Sequence, residues 1–189
     1  IGERSPNRPD RHYTYYPPIA RIPTQAGPGL GGRSWDMTVS LTRSLGDDGV
    51  PYSTGTENSG VSLFIQNNKL VFDYNYFGAH SIIDSTIDVP SGTSVVGVEF
   101  RRAKKDATVA LLVNNQKVGE LQIPAIMRMI SSVGASIGRD EGSTISKRYA
   151  DEFTFRGKIH RLDIQLLTEN RAEASVNAQT SQRETMGRQ

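Results

Sequence analysis

The chain has 189 residues, of which 36% are apolar and 22% charged, a balance that excludes a fully disordered or membrane-embedded protein and suits one soluble domain with a single core. Lys and Arg number 22 against 20 Asp and Glu, and the interspersed charges leave a net +2 that offers no field for nucleic acid. The absence of cysteine removes disulfides, thiolate nucleophiles and thiolate zinc sites, and no apolar run approaches the roughly twenty residues of a spanning helix.

Residues 1–32 hold Pro6, Pro9, Pro17, Pro18, Pro23 and Pro28 and end in a glycine cluster, so they are expected to run extended as a connector arm. Tyr13, Tyr15, Tyr16, Ile19 and Ile22 are too apolar for a free linker and predict that the arm lies along a neighbouring surface. The chain starts at Ile1 with neither Met nor a leader, which suggests a piece of a longer protein and leaves its compartment open. From Ser34, Trp35, Met37, Val39 and Leu41 alternate with Asp36, Thr38 and Ser40, the period of a half-buried strand.

Two segments then read as β-hairpins closed on paired asparagines, a residue that tolerates positive φ and so suits a primed two-residue turn. A turn at Asn67-Asn68 sets Ile65 opposite Leu70, Leu63 opposite Phe72 and Val61 opposite Tyr74. The other face, with Ser62 against Asp73 and Phe64 against Val71, is predicted to be partly wet. A turn at Asn114-Asn115 aligns Leu111 with Val118, and a bulge at Gly119-Glu120 is needed to bring Val109 to Leu121. Between the hairpins lie strands over 81–89 and around Val96, Val98 and Phe100. After them come a short turn or helix at 124–130, a brief strand at 133–137 and a last strand at 159–167. Eight or more strands without a long helix predict an all-β fold, a two-layer antiparallel β-sandwich spanning 33–167, followed by a polar tail at 168–189.

Chemistry is sparse. The spacing Arg4-Ser5-Pro6-Asn7-Arg8 has an arginine where a [CS]-x-P-x-R sulfatase motif needs its nucleophile, and the 27–32 glycine run lacks the Lys-Ser/Thr and helix of a phosphate loop. His12, His80 and His160 are far apart and become a metal trio only if folding gathers them. The oxygen-rich loop 137–149 is the most functional in appearance, with calcium binding and plain turn formation both open and the latter favoured. Trp35, Tyr74 and Tyr76 could stack on sugar rings, but they fall on the apolar phase of their strands, which favours the core.

The order of segments carries a resemblance. Arg8-Pro9-Asp10-Arg11, Tyr15-Tyr16-Pro17, Gly32-Arg33-Ser34, Gly60-Val61-Ser62-Leu63-Phe64-Ile65, the run 69–78, Val89-Pro90-Ser91-Gly92, Val118-Gly119, the run 137–143, Tyr149 and the run 153–159 together resemble the C-terminal region of bacterial arylsulfatases. The resemblance implies a non-catalytic accessory jelly roll of the concanavalin or laminin-G kind, packed on an upstream sulfatase domain that would hold the nucleophile and a calcium ion; it assigns no catalytic or metal residue and no cofactor to this chain. Tyr15, Tyr16 and Arg33 on the arm, with Arg139, Asp140 and Tyr149 on the loop, are the candidates for an interdomain or ligand surface. The competing expectation is an independent module that binds carbohydrate or sulfated glycan. An independent metal hydrolase is the least supported, since no carboxylate cluster accompanies the histidines.

Overall fold

A computed structural model describes residues 11–23, 27–128, 130 and 134–168. Eleven strands follow in order: β1 (Arg11–Tyr15), β2 (Trp35–Arg43), β3 (Gly49–Gly55), β4 (Gly60–Gln66), β5 (Lys69–Tyr76), β6 (Ala79–Asp88), β7 (Gly92–Arg102), β8 (Ala107–Val113), β9 (Gln116–Ile123), β10 (Ala135–Ile137) and β11 (Lys158–Leu166). They form two antiparallel sheets, one of six strands ordered β1-β11-β2-β7-β8-β9 and one of five ordered β10-β3-β4-β5-β6. No helix occurs among the described residues, and 124–130 is irregular where it is described.

Alternation sets the packing. Each strand of the six-stranded sheet turns one set of apolar side chains inward, Trp35, Met37, Val39 and Leu41 on β2 and Val96, Val98 and Phe100 on β7, all essentially buried. Val61, Leu63, Ile65, Leu70, Phe72 and Tyr74 of the five-stranded sheet meet them. The Trp35 ring stacks on Phe100 at 5.2 Å between centroids, and Tyr74 packs against the same ring at 5.6 Å. Contacts of this kind add about 0.5–1.5 kcal/mol each beyond area burial. The Tyr74 hydroxyl accepts from the Met127 amide at 2.7 Å, and burial pushes its phenol up to about 12.

Both asparagine turns form. Asn67, Asn68, Asn114 and Asn115 have φ of 51°, 64°, 49° and 64°, the double positive φ of a type I′ turn. The first hairpin has the expected register at each of its cross-strand pairs. The second differs: Val109 does meet Leu121, but Leu111 faces Gly119, so the extra residue is Val118 and the bulge lies one position earlier than the sequence predicts. Gly119 serves the approach of β6 instead, because a Cβ there would come within 2.9 Å of Ile83 Cδ1.

Two strands were not expected. β3 contains Pro51 and ends on glycines, yet it pairs with β4 through a bulge between Gly49 and Tyr52. In the segment assigned to the arm, β1 pairs with β11 along its whole length, from Arg11 opposite Leu166 to Tyr15 opposite Leu162, as an edge strand of the sandwich. Proline-rich flanks are compatible with an edge, where unpaired positions face outward. Residues 1–10 of the arm and 169–189 of the tail lie outside the described residues.

Candidate binding surface

The outer faces of the two sheets have opposite fates. On the five-stranded sheet, Ser62, Phe64, Val71 and Asp73 point away from the main core and are nonetheless fully buried, because the segment 138–157 between β10 and β11 folds across them. The expectation of a partly wet face is thereby overturned. Phe64 and Val71 form a second apolar cluster with Val50 and Tyr149, and Phe64 meets the Tyr149 ring edge-on at 5.1 Å. Two apolar side chains on an outward face need a cover, and this flap supplies it.

The oxygens of the flap are spent on holding it down. Tyr149 Oη donates to Asp140 Oδ2 at 2.6 Å, the Ile145 amide donates to the same oxygen at 2.8 Å, and Ser62 in turn donates to Tyr149 at 2.7 Å. The Asn75 amide reaches the carbonyls of Glu57 and Ile145 from β5. Burial raises the carboxyl of Asp140 above its ordinary value against the lowering effect of these bonds, and Asp140 Oδ1 is left without a partner among the described residues. A parallel cluster lies nearby: His80 Nδ1 donates to Asp73 at 2.9 Å and Ser146 donates to the same carboxyl, which burial also raises. Ser146 bonds Asp73 and not the histidine, so a hydroxyl is not presented to the imidazole as nucleophilic catalysis requires.

The candidates from sequence therefore separate. Asp140 and Tyr149 are buried, their polar atoms turned to partners within the flap and β4. Arg139 stays on the surface with Glu141 at 3.2 Å. Arg33 donates to the Leu167 carbonyl at 2.9 Å, clasping the end of β11. Tyr15 turns inward and is half-buried, and Tyr16 is 63% exposed with the Arg161 guanidinium 5.8 Å from its ring centre. The three histidines go to three neighbourhoods: His12 to Asp163, His80 to Asp73 and His160 to Thr42. No group of three metal-ligating side chains converges among the described residues.

Among the described residues, no segment covers the outer face of the six-stranded sheet. Pairing places Thr14, Asp163, Thr38, Gly97, Leu112 and Lys117 in one row across all six strands, and His12, Gln165, Asp36, Glu99, Ala110 and Glu120 in the next. In the first of these rows the two central strands contribute only Thr38 and Gly97, which leaves a low point in the face. A cavity of about 350 Å³ opens where Thr38, Val95, Gly97 and Leu112 meet the Asn114-Asn115 turn. Asn114 Oδ1 accepts from the Val95 amide at 2.9 Å, fixing that turn against β7. Toward β1, Asp163 accepts from Thr14 and His12 at 2.8 Å each and from Arg161 at 2.7 Å. Burial alone would raise the Asp163 carboxyl, but these hydrogen bonds outweigh it and hold it below the usual range. Sequence reading missed this face, although Gly97, set between the inward Val96 and Val98, interrupts a strand as glycines do where something approaches closely.

No protein-family model matches the sequence, and no curated protein matches it. Among solved structures the chain is similar to the "Ruminococcus gnavus IT-sialidase CBM40 bound to alpha2,3 sialyllactose", with a TM-score of 0.55 and 15% identity over 77% of this chain and 83% of that one. It is also similar to the mouse laminin alpha1 chain, domains LG4-5, with a TM-score of 0.50 and 15% identity over 82% of this chain; it spans 40% of that one. At such identity the likeness defines the fold alone: a jelly-roll β-sandwich of the laminin-G kind, as the resemblance in sequence implies. No described helix is long and apolar enough to cross a membrane.

Proposed function

We propose that this chain is a non-catalytic, lectin-like module that binds saccharide on the outer face of the six-stranded sheet. One observation carries the reading: the described residues leave that face open, lined with hydroxyl, amide and carboxylate groups around a cavity of about 350 Å³, while its counterpart is sealed by 138–157. A volume near the lower end of small-molecule sites, with an apolar floor and few polar groups, suits a sugar ring better than a protein partner. The fold likeness to a carbohydrate-binding module supports it as analogy. Calorimetry and a glycan array on the chain test it: saturable sugar binding is expected, and silence across the array removes the proposal.

A second reading places the module as the C-terminal accessory domain of an arylsulfatase-like hydrolase, packing on the catalytic domain and bordering its entrance. It rests on the ordered resemblance, several of whose residues occupy positions the sandwich and its flap require. A Cβ on Gly60 would meet the Thr54 carbonyl at 2.5 Å and one on Gly157 the Thr42 carbonyl at 2.6 Å, and Asp140 and Tyr149 lock the flap. In this reading calcium and the nucleophile belong to the upstream domain, and exposed Tyr16 on the docked arm is a point of interdomain contact. The coding sequence upstream of Ile1 decides it, since a [CS]-x-P-x-R motif must be found there.

A further inference from the structure

We infer that the saccharide taken by this face is uncharged and that one ring sits in the dent over Gly97, an inference that rests on the sheet-face reading above. The floor and walls of the dent are neutral. Gly97 presents no side chain, Val95 is 42% exposed beside it, and Leu112 stands opposite across β8, so together they offer an apolar patch to the C–H face of a ring. At the rim, no hydrogen bond among the described residues occupies the Thr38 hydroxyl or the Asn115 amide, and both can turn to sugar hydroxyls.

Charge decides against an anion. In the rows through Val95, Gly97 and Glu99, each basic side chain is already held by a carboxylate: His12 and Arg161 share Asp163, and Lys117 holds Glu120. Arg101, one row further, is bound to Asp36 at 2.6 Å. Glu99, directly along β7 from Gly97, has no ion pair among the described residues. Among the described residues, a sialyl carboxylate or a sulfate in the dent would therefore meet a carboxylate before any unpaired cation, and breaking one of the existing pairs would leave its carboxylate exposed to the incoming anion. A neutral hydroxyl, by contrast, can donate to Glu99 at no such cost.

The test is a glycan array carrying neutral oligosaccharides beside sialylated and sulfated ones, read with the chain and with Thr38→Val and Asn115→Gly. Valine matches the shape of an exposed threonine, and glycine accepts the φ of 64° at 115, so both variants keep the fold. Neutral sugars are expected to bind, with an affinity that changes little between low and high salt and falls about tenfold in each variant, the scale of one lost hydrogen bond. Binding confined to sialylated or sulfated sugars overturns the inference and leaves the sheet-face reading standing. Neutral binding undiminished in both variants overturns it by placing the seat elsewhere. An array with no sugar bound removes the sheet-face reading and this inference together.

Discussion

The two outer faces of this sandwich start from the same backbone pattern and end differently. The five-stranded sheet carries Phe64 and Val71 outward and so has to be covered; the flap that covers it brings buried polar groups, each of which needs a partner. The six-stranded sheet carries Thr38, Ser40, Gly97, Glu99 and Ala110 outward beside Val95 and Leu112, and no described segment crosses them. Carboxylates mark the contrast. Under the flap, burial raises Asp73 and Asp140; on the open face, hydrogen bonds from Arg161, Thr14 and His12 hold Asp163 down. The loop with the most chemistry in its sequence is thus spent on packing, and the face with the least conspicuous sequence is the one that no described segment covers.

The largest expected effect is at Phe64. Phe64→Ala removes a fully buried ring that meets both Tyr149 and Phe153, and should cost about 3–5 kcal/mol in urea unfolding. Thr38→Ala, at an outward position of the other sheet, should stay within about 0.5 kcal/mol. Similar losses at the two positions would break the contrast between covered and open faces. Next comes Asp140→Ala, which strands the Tyr149 hydroxyl and the Ile145 amide and should cost about 1–3 kcal/mol. Asp140→Asn keeps one acceptor oxygen and puts a donor where Oδ1 has no partner, so its loss should be smaller than that of alanine.

Acid should act on the two faces in opposite senses. Because the native carboxyls of Asp73 and Asp140 are raised, the folded chain holds their protons to higher pH than the unfolded chain does. The stability tied to them is complete below the ordinary carboxylate range and is lost as pH rises through the raised native values. Asp163 is lowered, so its contribution is present above the ordinary range and is lost as pH falls through the lowered native value. Hydrogen exchange should therefore show β1 loosening in acid while 138–157 tightens. Asp163→Asn should abolish the acid response of β1 and cost about 0.5–1 kcal/mol, the scale of a partly exposed ion pair. A flap and an arm that open together in acid would count against this assignment.

What could be read from sequence was local. Paired asparagines and alternating apolar residues fix both hairpins, since turn and strand report on neighbours a few positions away. β3 escaped because Pro51 and the flanking glycines mimic a loop. The flap escaped because its oxygens find their partners on Ser62, Asp73 and Asn75, distant in the chain; read without those partners, Asp140 and Tyr149 resemble a ligand site. The candidate surface is the harder case, since Thr38, Gly97 and Asn115 belong to no motif and meet only through the register of β2, β7 and β8.

The last expected effect is small on stability and the sharpest on function. In Gly97→Ala, the new Cβ would lie 3.0 Å from the Met37 carbonyl, 3.6 Å from Thr38 Cγ2 and 3.7 Å from Leu112 Cβ. The first contact opposes folding, while the narrower unfolded ensemble of alanine favours it by about 0.4–1 kcal/mol, so the net change should stay under about 1 kcal/mol. The methyl also fills the floor of the dent. If Gly97 serves a ligand, the variant keeps its urea midpoint and loses sugar affinity; if Gly97 serves only the close passage of β2, the midpoint falls and the affinity of the remaining folded chain does not. Measuring both on one variant separates a face left open for binding from one that is merely uncovered.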